Sequence, residues 1–157
     1  MTNRLKRLLI VYHSKTGHTE ALIQAAVTGA QDPDLDEIEV KCLRAQDAWA
    51  DDLLWCDGLI LGTPENFGYM SGALKDFFDR TFYEVEGKLN PLPYCLIVGA
   101  GNDGTGAVRA IRRIVNGYPF TSVQDPIVSK GEPNPNVLAQ CREMGMAMAA
   151  GLALGIF

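Results

Sequence analysis

Three short segments of this chain are apolar without interruption or nearly so: LLIVY at Leu8 to Tyr12, GLILGT at Gly58 to Thr63, and YCLIVG at Tyr94 to Gly99. A strand with one face in water alternates apolar and polar side chains. A run that does not alternate is covered on both faces, as in a parallel sheet sandwiched between helices. The intervening sequence supplies those helices. Glu20 to Ala30 puts Leu22, Ala25, Ala26 and Gly29 on one helical face, and further helices are expected at Ala48 to Leu54, Ser71 to Tyr83 and Ala107 to Val115. The segment EIEVKCL reads differently. Ile38, Val40 and Cys42 point one way and Glu39 and Lys41 the other, so it is a half-exposed strand at a sheet edge. Between Tyr118 and Ser129, Pro119 and Pro126 exclude a central strand and allow only an edge one. A last helix starts at Asn134, with Pro135 in its first turn and Leu138, Cys141, Gly145, Met148 and Leu152 along one stripe.

Strands alternating with helices define an α/β fold. Right-handed crossovers, with the second and fifth strands at the edges, give a five-stranded, doubly wound parallel sheet of order 2-1-3-4-5 with helices on both faces. A chain of 157 residues fits one domain, 1–157, and contains no internal repeat or linker. In such sheets ligands lie beyond the carboxyl ends of the strands, where the winding reverses between strands one and three. Three loops therefore matter, those after Tyr12, Leu61 and Val98.

The first loop holds Ser14, Lys15, Thr16, Gly17, His18 and Thr19. A helix opening near Gly17 leaves amides unpaired and carries partial positive charge, so it favours an anion. A bridging pyrophosphate needs glycines so that backbone can pass alongside it. A terminal monoester can be surrounded, and short hydroxyl side chains do that. Simple helix capping by Ser and Thr is the alternative reading. Lys15 and His18 either contact the anion or lie in water. The second loop, Pro64, Glu65, Asn66, Phe67, Gly68, Tyr69 and Met70, places large apolar side chains outside a strand, as a flat polarisable ligand would require; local packing or a dimer contact would also explain them. Glu65 and Asn66 offer groups for the polar edge of a ring. The third loop, Gly99, Ala100, Gly101, Asn102, Asp103 and Gly104, spells a G-x-G-x-x-G, and Asp125 stands near the spacing of a dinucleotide site. That fingerprint belongs on the first strand–helix unit and here follows the fourth strand. Close backbone approach to a ligand face is the preferred role, and a structural turn is the alternative.

Composition removes other classes. The net charge is −5 and no basic block exists, which disfavours nucleic acid. Cys42, Cys56, Cys95 and Cys141 form no C-x-x-C pair, and with His13 and His18 as the only histidines no metal site can be drawn. All four cysteines read as reduced thiols of a cytoplasmic protein. The apolar C-terminal stretch MGMAMAAGLALGIF is too short to cross a membrane; Met144, Met148 and Leu154 there serve either one subunit's core or a homo-oligomer contact.

The segment YHSKTGHTE resembles the phosphate loop of flavodoxin-like proteins, S/T-x-T-G-x-T. GTPENFGYMSGALKDFFDRT is similar to their flavin-ring loop, in the G-T-P-x-x-F-G-x-M-S-G form of the flavodoxin-like NAD(P)H:quinone oxidoreductases, the tryptophan-repressor-binding-protein group. The resemblance implies a flavodoxin-like fold and an FMN cofactor, with the phosphate held by Ser14 to Thr19 and the isoalloxazine ring flanked by Pro64 to Met70 and Gly99 to Gly104. It also implies an oxidoreductase taking electrons from NAD(P)H to a quinone or similar small-molecule acceptor. No acid–base side chain is nominated as catalytic. Three features depart from that group. The third loop lacks its Thr-Gly-Thr-Gly-Gly pattern, a long insertion before the last strand is missing, and Glu65 and Asn66 occupy the region of an arginine. An electron carrier that binds FMN and a redox partner protein is the second expectation.

Overall fold

The computed structural model describes residues 4–157. Strand β1 (Arg7–Tyr12) leads to helix α1 (His18–Ala30), and β2 (Glu39–Arg44) to a 3-10 turn at Ala45–Asp47 and α2 (Ala50–Trp55). Then come β3 (Gly58–Pro64), α3 (Gly72–Val85), β4 (Leu92–Ala100), α4 (Thr105–Val115), β5 (Phe120–Ser122), β6 (Ile127–Lys130) and α5 (Pro135–Ala153). The strands are all parallel, in the order β2-β1-β3-β4-β5. Among the described residues no helix is long and apolar enough to cross a membrane.

Period-two geometry explains the unbroken apolar runs. Leu8, Ile10 and Tyr12 pack with Ile60, Cys95 and Ile97 under α1 and α5. Their neighbours Leu9 and Val11 point to the opposite face, where Leu59, Leu61, Leu96 and Val98 meet α2, α3 and α4. Edge strand β2 is half-buried: Val40 and Cys42, with Ile38 just before it, pack toward the α1–α5 layer, and Leu43 packs against the opposite core. Met144 and Met148 are consumed by that same layer, whereas Leu154 is exposed.

The fifth position of the sheet is two strands rather than one. Strand β5 pairs with Leu92 to Tyr94 of β4, and β6 pairs with Ile97 to Ala100. The Val123 amide still donates to the Tyr94 carbonyl at 3.1 Å, residues 124–126 connect the two strands, and Pro126, which has no amide to donate, lies in that connection. The expected edge strand is present, in two pieces.

Helix α1 lies close against its neighbours because four glycines make room. A Cβ on Gly29 would overlap the carbonyl of Arg142, and one on Gly145 would overlap the carbonyl of Ala26, a reciprocal contact of α1 with α5. A Cβ on Gly62 would crowd the Ile23 side chain from the sheet, and one on Gly99 would stand 3.0 Å from Thr19 Oγ1. At the far end Asn134 Oδ1 caps α5 through the Val137 amide at 2.9 Å, with Pro135 at its first turn.

Alanine favours a helix over glycine by about 1 kcal/mol, so Gly145→Ala tests the contact against propensity. A backbone carbonyl cannot swing aside as a side-chain tip can, and overpacking costs about 1–3 kcal/mol or more. The expected result of urea denaturation is a net loss of at least about 1 kcal/mol; a stabilised variant would mean that the helices are not in backbone contact.

Candidate functional site

The loops after β1, β3 and β4 meet at the carboxyl edge of the sheet, and each is shaped differently. After β1, the His13 amide donates to the Gly62 carbonyl at 3.0 Å, which carries the ladder one residue past the strand. Ser14 Oγ then accepts from the amides of Gly17 and Glu20, both at 3.2 Å, so this hydroxyl caps α1 from outside the helix. Gly17 itself has φ 98°, in the left-handed region where a side chain would be strained. The amides of Lys15, Thr16, His18 and Thr19 have no acceptor among the described residues. Lys15 and Thr16 are exposed, His18 is half-buried, and Thr19 is buried against Gly99. The result is a turn of free N–H groups at the positive end of a 13-residue helix, rimmed by hydroxyls.

Two residues that the sequence reading did not single out stand beside this loop. Arg44 ends β2 in register with Tyr12, and its guanidinium pairs with Glu20 Oε1 at 3.1 Å while lying over the Tyr12 ring. The Tyr12 hydroxyl donates to the same carboxylate oxygen at 3.0 Å. The His13 ring is half-buried, and its Nδ1 is buried with no partner among the described residues. Burial first, then the charges of Arg44 and Lys15, hold the imidazole below its usual pKa. Arg44 reaches this loop through the pairing of β2 with β1, which sequence pattern alone does not display.

After β3 the chain makes a two-residue hairpin. Asn66 and Tyr69 exchange both backbone hydrogen bonds, at 2.8 and 3.0 Å, around Phe67 at φ 53° and Gly68 at φ 70°. Both central residues are left-handed, the arrangement of a type I′ turn. A phenylalanine in this conformation is strained by roughly 1–2 kcal/mol, and here its ring is 108% exposed. Tyr69 is 40% exposed beside it. Met70 departs from the expected ring contact: it is buried in the core with Leu74 and Phe77 and supports the hairpin from beneath. Ser71 anchors the exit, donating its amide to Thr63 Oγ1 at 2.9 Å and capping α3 through the Leu74 amide.

Glu65 also differs from its expected place at a ring edge. Its amide donates to the Gly99 carbonyl at 2.8 Å, and its Oε2 accepts from the Ala107 amide at 3.1 Å, in the first turn of α4. The Gly68 carbonyl approaches α4 so closely that a Cβ on Gly106 would overlap it. The second and third loops are therefore one rigid unit. In the third loop Gly101, Asn102 and Asp103 are exposed, Ala100 belongs to the core, and Gly104 turns into α4 at φ 71°. Asp103 Oδ1 accepts from the Thr105 amide at 3.1 Å and its hydroxyl at 2.9 Å, which holds the Asp103 carboxyl below the usual range. Two carboxylates thus occupy the amides that a bridging pyrophosphate on the G-x-G-x-x-G would need. The anion-receptive helix terminus is that of α1.

The depressed His13 pKa has a sign. The unfolded chain takes up a proton on this residue near pH 6.5 while the fold resists it, so stability falls as pH drops below about 6.5. The expected NMR titration midpoint of His13 lies below 6.5. A midpoint above that value would contradict the buried ring.

Comparison with known proteins agrees with this geometry. The family model "NADPH-dependent FMN reductase" matches residues 8–133. A flavodoxin of Aquifex aeolicus is 27% identical over 164 residues, covering 94% of this chain and 88% of its own. An NAD(P)H dehydrogenase (quinone) of Acidithiobacillus ferrooxidans is 33% identical over 95 residues, about half of each chain at 49% and 48%. A solved flavodoxin from the Archaea superimposes with a TM-score of 0.78 at 20% identity, over 93% of this chain and 98% of its own, a likeness of fold. Carried by a match through most of its length, the chain belongs to the NADPH-dependent FMN reductase family, within the FMN-binding, flavodoxin-like oxidoreductases.

Proposed function

We propose that this protein is an FMN-dependent oxidoreductase that accepts a hydride from NAD(P)H and delivers electrons to a quinone or similar small acceptor. The observation that carries the proposal is the contrast between two helix termini. The start of α1 offers free amides and hydroxyls, whereas the start of α4 is already closed by Glu65 and Asp103. A terminal phosphate fits the first and is repelled by the second. The α1 amides with Ser14, Thr16 and Thr19 surround the FMN phosphate in this reading, and Gly17 lets the loop close around it. Lys15 and His18 lie at its rim, and His13 lines the approach.

The ring then lies between the Pro64 to Met70 hairpin and the Gly99 to Gly104 backbone. Phe67 supplies an apolar face that is otherwise fully hydrated, and burying its ring stabilises binding by about 1.5–3 kcal/mol. The bound flavin supplies the redox chemistry; the chain supplies position, polarity and exclusion of water. The exposed aromatics Phe67 and Tyr69 stand on one loop, and the third loop has none. One ring face is accordingly left to a substrate. A carrier serving a redox partner protein is the second reading, favoured by the flavodoxin relative that covers nearly the whole chain. We assign the protein to the cytoplasm on its four unpaired cysteines. A homo-oligomer contact would draw on exposed Leu154 and Ile156, since Met144 and Met148 are internal.

Two measurements test the reading. Thr16 is exposed and makes no side-chain hydrogen bond among the described residues, so Thr16→Val leaves the fold intact. A lost hydrogen bond to a charged group is worth about 1.5–3 kcal/mol, so FMN affinity is expected to fall about tenfold or more while riboflavin affinity holds. Equal losses for both ligands would move the phosphate elsewhere. Anaerobic mixing with NADH or NADPH is expected to bleach the flavin within seconds; bleaching by dithionite alone would select the carrier.

A further inference from the structure

Helix α4 carries Arg109, Arg112 and Arg113, and these three have no carboxylate partner among the described residues. Every other arginine does: Arg4 pairs with Asp57, Arg7 with Glu39, Arg44 with Glu20, Arg80 with Asp76 and Arg142 with Asp32. In a chain with 19 acidic residues against 14 basic ones, uncompensated positive charge gathered on one helix needs a reason. The helix dipole accounts for a cation in the last turn, where Arg112 and Arg113 lie, but not for Arg109.

Arg109 and Arg112 are three residues apart and share a helical face. Both line a groove of about 460 Å³ together with Val108, Pro126 and Val128. Pro126 brings the connection between β5 and β6 to the groove's edge. Its size is that of a small-molecule site, with apolar lining residues and two cations. One end reaches Asp103 in the third loop, where the carboxylate is already bonded to Thr105 and does not answer the arginines.

We propose that this groove binds the phosphate-bearing adenosine end of the nicotinamide nucleotide, with phosphate on Arg109 and Arg112 and the purine against Val108, Pro126 and Val128. The inference rests on the reductase reading, because the third loop that closes the groove is the one assigned to the ring face. A nucleotide seated here has its adenosine outside that loop and its other end directed toward the ring. Arg112 also bonds the Tyr94 side chain, which leaves its charge without a counter-ion; the guanidinium fork suits a phosphate, and the field of two cations without carboxylate partners steers an anion to this side of an otherwise acidic surface.

Calorimetric titration of the purified protein with adenosine 2′,5′-bisphosphate is the test, since it reads binding without turnover. Binding by the parent protein is expected. In Arg109→Gln/Arg112→Gln the dissociation constant is expected to rise about tenfold or more, with an unchanged thermal midpoint. Arg113→Gln removes the same charge outside the groove and is expected to stay within about twofold. No binding by the parent, an unaffected double variant, or an equal loss in Arg113→Gln would each overturn the groove. The reductase reading fails separately: bisphosphate binding without bleaching by NADPH keeps the groove and rejects the reductase, whereas bleaching with no dependence of nucleotide binding on Arg109 and Arg112 does the reverse.

Discussion

The seat of α1 on the sheet governs nearly everything at the carboxyl edge. Four glycines, Gly29, Gly62, Gly99 and Gly145, remove side chains where this helix meets α5, β3 and β4, so its axis comes nearer than ordinary packing would allow. Closeness has a functional result. The first turn of α1 lies directly over the point where the winding reverses, and its free amides open into the space between the first and third strands. A helix one side-chain layer further out would carry the same charge to a different place. Thr19 shows the coupling most directly, since its hydroxyl abuts Gly99 and so joins the first loop to the third.

The other two loops are joined by Glu65. A carboxylate reaching from the end of β3 to the first turn of α4 performs the capping that Gly104 cannot, and it fixes the hairpin relative to the third loop at the same time. The Asn66–Tyr69 pairing then leaves Phe67 no internal contact. An aromatic ring held in water on a left-handed residue is unfavourable on both counts, conformational and hydrophobic. Its strain is local to the turn that carries it.

How far the sequence foretold this depends on the kind of signal. Buried parallel strands announce themselves through unbroken apolar runs, and Leu8 to Tyr12, Gly58 to Thr63 and Tyr94 to Gly99 are all strands in the structure. The half-exposed β2 was legible from its alternation, and α5 from Asn134 and Pro135. The edge strand was legible only as a strand excluded from the centre, because prolines report a missing donor and not where pairing resumes. At the site, hydroxyls and glycines near a helix start mark a receptive terminus, but not which hydroxyl caps it; Ser14 does. Glu65 and Met70 were placed by position in the chain, and their side chains went to α4 and the core because a 42-residue separation and a core vacancy are not visible locally. Arg44 and His13 emerged only once β2 lay beside β1.

The interruption between β5 and β6 has an evolutionary corollary. Lengthening a loop that already leaves the ladder costs little, about 0.6 kcal/mol for each doubling, and neither flanking strand must shift register to accommodate it. Residues 124–126 therefore form a natural point of growth, where a lineage could add a segment beside the groove without altering the sheet. A chain that stays short at this position keeps the arginines of α4 open to water. A segment added there would begin beside them at Pro126 while the sheet retained the same core.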